Sequence, residues 1–285
     1  MKIAFLGTGL MGGLMCERLI KKSFDLVVWN RTISKTDKLK SLGAEVAVSP
    51  EDAIQKGDLI ITMLSEYSAI NEVLVNCPKD LTGKTFLQMS TIAPCESLIL
   101  KTRIENSGGE YLESPVLGGI AQIPDGKLLP MVGSTVEQFE KWKPFLQNFG
   151  ETIVHFGEAG KAASAKLACN QLIASMLTSF SMSLGYVREM GIDVEKFMTI
   201  LRPSAYYAPA FDKKLPNMIK RDFSNTNFPL KHLLKDVNLV LGELNKTNIN
   251  TSSLESVKNI LIEGMNQNFA GNDYSVIYNI VHVKE

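Results

Sequence analysis

The chain opens on a short apolar run, residues 2–6 (KIAFL), that stops at Gly7 as a buried strand does. Residues 10–22 then set Leu10, Leu14 and the Leu19–Ile20 pair at helical spacing, with Lys21 and Lys22 near the end, which predicts a helix. Residues 24–29 (FDLVVW) predict a second strand, 34–42 a helix ended by Gly43, and 44–48 (AEVAV) a third strand. After Pro50 come a short helix over 51–56 and a strand over 58–63, and the alternation continues through 69–75, 85–89, 95–107 and 110–113. Such alternation predicts a parallel sheet wrapped by helices.

The rhythm changes near residue 157. From Ala162 to Met190 apolar positions wrap around most of the helix, with Ala, Ser and Gly mixed in, which predicts a central, buried helix. Beyond it only helical segments are predicted, over 193–201, 230–246, 252–268 and 273–281, and Ser252 with Glu255 has capping-box spacing. The expected architecture is an α/β Rossmann-type domain over residues 1–156, then an all-α domain over 157–285 built on one long central helix.

Composition narrows the function classes. With 285 residues, 45% apolar and 21% charged, the chain suits a folded, water-soluble protein that needs no disulfide or metal staples. Its 30 basic and 30 acidic residues cancel without a run of like charge, so the basic stripe of a nucleic-acid binder is missing. The apolar stretch 162–187 is broken by Lys166, Asn170 and Gln171, which argues against a membrane span. Cys16, Cys77, Cys95 and Cys169 form neither a CxxC unit nor a Cys/His cluster; reduced, mostly buried thiols and no metal site are expected. The run after Lys2 goes straight into a glycine-rich turn, unlike a signal peptide, and a reducing cytoplasm is the expected compartment.

The turn itself is a GxGxxG sequence, Gly7-Thr8-Gly9-Leu10-Met11-Gly12. It follows a predicted strand and opens a predicted helix, the context that makes it a dinucleotide-binding fingerprint. Gly7 permits the tight turn, Gly9 lets backbone approach a pyrophosphate, and Gly12 allows helix and strand to pack closely. At the end of the second strand, where NAD-binding proteins place Asp or Glu, stand Asn30, Arg31 and Thr32, with Lys35 close behind. A carboxylate there would repel a 2′-phosphate, whereas Arg31 can hold one through paired, charge-assisted hydrogen bonds, so NADP is the expected cofactor.

Lys166 and Asn170 lie four residues apart, about 40° around a helix axis and so on one face. A lysine on an otherwise apolar helix must find a partner or line a cavity, and partial burial suits it to proton exchange near neutral pH. Together with FLGTGLMG (5–12), VWNRT (28–32), TMLS (62–65), MSTIAP (89–94), ESPVLGG (113–119), GEAGKAASAKLACN (157–170) and FPLKHLLKD (228–236), the chain resembles the β-hydroxyacid dehydrogenases, and within them the glyoxylate/succinic semialdehyde reductases.

The resemblance implies that Lys166 is the catalytic acid and base and Asn170 its partner. It implies that Met63, Leu64, Thr91 and Lys235 lie by the cofactor, and that Ser90, Thr91, Phe228 and Asp236 contribute to the substrate site. It carries two departures. Leu117 stands where the family has a serine that helps hold the substrate carboxylate, leaving the backbone N–H groups of Gly118 and Gly119 to bind an anion. Ala162 replaces a common glycine, with the spacing to Lys166 kept. His155, His232 and His282 belong to no nucleophile motif and are expected to be structural.

The reaction expected is NADPH-dependent reduction of a small aldehyde or 2-oxo acid by a homodimer or homotetramer, with neither nucleic acid nor membrane as partner. Three alternatives stay open. Arg31 weighs against an oxidative 3-hydroxyacid dehydrogenase, the Lys166–Asn170 pair against an imine reductase, and retention of both residues against a non-catalytic cofactor-binding protein.

Overall fold

In β1 (Lys2–Leu6), alternate side chains enter two separate cores. Ile3 and Phe5 pack with Met15, Cys16 and Leu19 of α1 (Leu10–Lys21), while Ala4 and Leu6 belong to the opposite face. The computed structural model describes residues 1–75 and 77–283. The chain divides into two compact units, Met1–Leu167 and Ala168–Glu285.

The same two-faced burial recurs along the first unit. It runs through β2 (Asp25–Trp29), α2 (Asp37–Ser41), β3 (Glu45–Val46), α3 (Pro50–Lys56), β4 (Leu59–Thr62), α4 (Tyr67–Val75), β5 (Thr85–Gln88), α5 (Pro94–Asn106) and β6 (Glu110–Glu113). Then come β7 (Val116–Leu117), β8 (Leu129–Gly133), α6 (Val136–Leu146) and β9 (Val154–Gly157). Leu59, Ile61, Leu87 and Leu112 share a core with α1 and with Phe139, Trp142 and Phe145 of α6. Ile60, Phe86 and Tyr111 share the other with Ile54, Ile70, Val73, Leu100 and Ile104 of α3, α4 and α5. Because both faces are covered, the central strands read as unbroken apolar runs.

The described strands form one sheet in the order β3-β2-β1-β4-β5-β6-β8-β7, with β9 beside β8. From β3 to β6 the pairing is parallel, the Rossmann-type half expected. Past Glu113 the sheet becomes mixed: β8 runs antiparallel to β6 and β7, and parallel to β9. The alternation along the chain does not disclose β7, β8 or α6. β7 has two residues, β8 carries Pro130 and Gly133, and Pro144 sits inside α6. The α6 start is nevertheless written in the chain, since Thr135 Oγ1 accepts the Gln138 N–H and Gln138 Oε1 accepts the Thr135 N–H, both at 3.2 Å. Two predicted elements shrink. The helix over 34–42 is a 3₁₀ turn, Ile33–Thr36, followed by the short α2, and the strand over 44–48 keeps only Glu45–Val46 on the sheet edge.

α7 (Lys161–Glu189) begins in the first unit and continues into the second. There follow α8 (Val194–Leu201), α9 (Pro209–Lys220), α10 (Leu230–Leu244), α11 (Ser252–Asn266) and α12 (Ile277–Val281), so the C-terminal region is helical as expected. The periodicity misses α9, which carries Pro216 in its interior. Ser252 is the first residue inside α11; Thr251 precedes it without a side-chain cap, so the predicted capping box does not form. α7 is buried along one side only: Ala174, Leu177, Phe180 and Leu184 are inside, whereas Leu172, Met182 and Tyr186 are exposed in the single chain. Among the described residues no helix is long and apolar enough to cross a membrane, and no group of His, Cys, Asp and Glu is arranged to hold a metal. All four cysteines are free; Cys16 alone is buried, and Cys95 is exposed rather than buried.

The second unit contains a buried charge pair. Lys214 donates to both carboxylate oxygens of Asp273 at 2.8 Å and lies 4.6 Å from the Tyr274 ring centre. Asp273 also accepts the backbone N–H of Asn227 and Ser275 and the Ser275 hydroxyl, which ties the 227–228 loop to α9. Burial raises the Asp273 carboxyl, but the Lys214 ammonium and Ser275 outweigh it and hold the group below the usual carboxylate range. A depressed native pKa gives stability that is complete above the unfolded value and is lost as pH falls through the folded one. Asp273→Ala strands a buried ammonium and is expected to cost about 3–5 kcal/mol in urea unfolding at neutral pH. The gap between variant and parent should narrow in acid.

Candidate active site

The glycine turn is built by close backbone contact. Gly7 has φ +104° and donates its N–H to Trp29 O at 2.9 Å, and a Cβ at Gly7 would lie 2.4 Å from Met63 O. A Cβ at Gly12 would lie 1.9 Å from Gly7 O, so α1 reaches β1 only with glycine there. At Gly9 a Cβ would meet nothing within 4 Å, and Gly9 precedes α1 without a side-chain cap. The first turn of α1 has no acidic residue, so its N–H groups and the positive end of its dipole are open to an anion. These features fit the pyrophosphate of a dinucleotide. Leu10 is exposed and Met11 half-buried beside them.

Asn30 holds this turn to the end of β2. Its Oδ1 accepts the Thr8 N–H at 3.1 Å and its Nδ2 donates to Thr32 O at 2.9 Å, so the amide braces the loop rather than facing outward. Thr8 Oγ1 donates to Lys35 O at 3.2 Å. Arg31, Thr32 and Lys35 are exposed along this loop, and the Arg31 guanidinium reaches Glu72 only at 3.9 Å. A long contact between two exposed side chains holds neither in place.

A second polar scaffold joins the ends of β4 and β5. Ser90 is buried, and its hydroxyl accepts the Leu64 N–H at 2.8 Å. The Gln88 amide spans Ser90, donating to its carbonyl at 2.9 Å and accepting its N–H. Met63, Leu64 and Thr91 are thereby set beside the glycine turn or on the adjoining loop, with the Leu64 side chain close over Gly7. Ser90 does not cap α5; the Glu96 carboxylate receives the Ala93 N–H there instead. Periodicity cannot reveal Gln88, which reads as one more residue at a strand end.

At the end of β7, Leu117 pairs with Leu129, and Gly118 turns the chain with φ +124°. The Gly119 N–H is already donated to Gln122 Oε1 at 2.9 Å. The anion-binding role expected of that N–H is thus taken by a side chain of the same loop.

Lys166 is 8% exposed on α7, one turn before Asn170, which is 3% exposed. In the second unit, Asn170 Nδ2 donates to Asp236 Oδ2 at 2.6 Å, and Lys235 Nζ lies 2.8 Å from Asp236 Oδ1. Lys235 is therefore an ion-pair partner within α10. Asn170 Oδ1 is buried with no hydrogen-bond partner among the described residues. An amide with one N–H committed and its acceptor open is suited to accept a hydrogen bond from a hydroxyl or an ammonium. Phe228 is half-buried, edge-on to Tyr274 at 5.7 Å and stacked near His232 at 6.4 Å. His155 bonds Ser134 O and stacks on Phe139, and His282 lies between Arg221 and Glu189.

Gly12→Ala tests whether this turn holds a nucleotide. The displaced α1 should weaken NAD(P)H binding at least about tenfold, or roughly 1.4 kcal/mol, in a fluorescence titration.

Comparison with known proteins agrees with these features. Residues 2–157 match the NAD binding domain of 6-phosphogluconate dehydrogenase, and residues 160–281 the NAD-binding domain of NADP-dependent 3-hydroxyisobutyrate dehydrogenase. Glyoxylate/succinic semialdehyde reductase 2, chloroplastic, of Arabidopsis thaliana is 36% identical over 84% of this chain and 68% of its own length. Glyoxylate/succinic semialdehyde reductase 1 of the same plant is 34% identical over 85% of each. Mycobacterium tuberculosis 3-hydroxyisobutyrate dehydrogenase, solved with L-serine, shares the fold with a TM-score of 0.87 at 20% identity, over 99% of both chains. The chain belongs to the β-hydroxyacid dehydrogenase family and is an NAD(P)-dependent oxidoreductase acting on CH–OH groups.

Proposed function

We propose that the protein uses NADPH to reduce a small aldehyde or 2-oxo acid, of the succinic semialdehyde or glyoxylate type, to the hydroxy acid, with Lys166 as general acid. The observation that carries the reading is a buried lysine one helical turn from an amide whose buried acceptor is open. Both plant relatives are named for these two substrates. The bound nicotinamide supplies the hydride. Lys166 gives a proton to the carbonyl oxygen as the carbon is reduced, and regains one from solvent; in reverse it accepts the hydroxyl proton. Asn170, oriented by Asp236, positions the oxygen or the ammonium through Oδ1.

Gly7, Gly9, Leu10, Met11 and Gly12 are assigned to the pyrophosphate, with Met63, Leu64, Thr91 and Lys235 beside the nicotinamide. Ser90, Thr91, Gly118, Gly119, Phe228 and Asp236 are assigned to the substrate or its loops. Arg31, Thr32 and Lys35 are assigned to the 2′-phosphate, an exposed cationic loop without a carboxylate in its own segment. The family description of residues 160–281, an NADP-dependent dehydrogenase, supports the same choice. The exposed apolar side chains of α7 support assembly into a homo-oligomer. Leu117 and the occupied Gly119 N–H favour a second substrate reading, a bulkier or uncharged carbonyl compound.

NADPH oxidation across a panel of carboxylated and uncharged carbonyls, repeated with NADH, tests the reading. Lys166→Ala is expected to lower turnover at least about a hundredfold with NADPH binding kept, and Lys166→Arg not to restore it. Near-normal turnover in Lys166→Ala would place the proton donor elsewhere. NADPH should exceed NADH in kcat/KM by at least about tenfold, and Arg31→Ala should raise KM for NADPH selectively. Equal use of both cofactors by the parent protein rejects that assignment. Leu117→Ser is expected to lower KM for the carboxylated substrates; loss of all activity would point to the bulkier or uncharged class.

A further inference from the structure

Glu113 ends β6 with no solvent exposure, and the reaction proposed above leaves it without a role. Its Oε1 accepts the backbone N–H of Gly160 at 2.8 Å and of Ala163 at 3.0 Å. Its other oxygen takes the hydroxyl of Ser97 on α5, which is itself bonded to Tyr111 OH at 2.7 Å. Burial pushes the Glu113 carboxyl up, partly offset by Ser97 and the N–H groups at the start of α7.

Three further features are shaped around this one carboxylate. α7 has no acidic residue in its own first turn, so its unpaired N–H groups depend on a side chain from elsewhere. Gly160 enters the helix at φ +92°, a left-handed conformation that suits glycine. A Cβ at Gly133 of β8 would come 2.4 Å from Glu113 Oε1, so a glycine there leaves the carboxylate its space.

We propose that Glu113 is a positioning residue that sets the first turn of α7 and thereby the ammonium of Lys166, three residues beyond Ala163 on the same helix. The inference rests on the reading of Lys166 as proton donor. A buried acid that only stabilises the fold would change melting temperature and leave kcat alone. A positioning acid changes kcat with cofactor affinity kept.

The test uses the full chain with NADPH and the best carbonyl of the panel. Turnover, both KM values, NADPH Kd and melting temperature are measured for Glu113→Gln, Glu113→Asp, Ser97→Ala and Lys166→Ala. Glutamine keeps an acceptor at the same length and can donate to Ser97, so Glu113→Gln should retain kcat within about threefold. Aspartate keeps the charge but falls one methylene short, and should lower kcat at least about tenfold with NADPH Kd within about twofold. Glu113→Asp with kcat within about threefold of the parent overturns the proposal, as does a change confined to melting temperature or Kd. If Glu113→Asp does not fold, Ser97→Ala decides: kcat lowered at least about twofold at constant Kd supports the clamp, and a smaller change rejects it. Active Lys166→Ala would refute the proton-donor reading itself. Inactive Lys166→Ala beside fully active Glu113→Asp would refute only the role of Glu113.

Discussion

The contact of Gly12 with the Gly7 carbonyl is the constraint on which the nucleotide end of the molecule depends. It brings the first turn of α1 against the end of β1, leaving no room for a methyl group between them. Helix N–H groups bind an anion only if nothing of the chain itself covers them, and here Gly9 provides neither a Cβ nor a cap. The alternating burial of Ile3, Ala4, Phe5 and Leu6 holds the strand from both faces, so the turn is attached to a strand packed on both sides. A flexible loop with the same glycines would lose this preorganisation.

Around that turn, polar side chains at strand ends face inward and serve as scaffolding. Asn30 closes the turn onto β2, Gln88 grips Ser90, Ser90 holds the Leu64 N–H, and Glu113 receives the start of α7. The first three satisfy backbone groups left open where strands stop, and Glu113 those left open where a helix starts. Their burial has a local energetic logic: an amide or carboxylate in a dry site must have its partners, and once it has them it admits few alternative loop conformations.

This explains what was legible in the sequence. Period-two and 3.6-residue patterns follow burial, so β1, β2, β4, the glycine turn and the long helix could be read directly. β7, β8, α6 and α9 could not, because short strands and interior prolines erase the period before they erase the structure. α7 was legible as a helix, but its apolar circumference overstated its burial in one chain, as Leu172 and Tyr186 show. Asn30 was recognisable as the residue replacing a ribose-binding carboxylate; that its amide turns back to brace Thr8 depends on three-dimensional proximity. The partners of Glu113 and Gln122 were invisible for the same reason, since they are backbone N–H groups and, for Glu113, the distant Ser97 hydroxyl, which no sequence period marks.

The Asn170 environment links the fold of the helical unit to the chemistry. Asp236 accepts from Nδ2, which fixes the amide orientation and leaves Oδ1 as an open, buried acceptor. A free asparagine can turn its oxygen either way; one clamped by a carboxylate has its acceptor held in a fixed direction. In the proposed reaction that acceptor serves both directions, because an alcohol and a lysine ammonium are both donors to it. Lys235 Nζ, 2.8 Å from Asp236 Oδ1, engages the carboxylate oxygen that Asn170 does not reach.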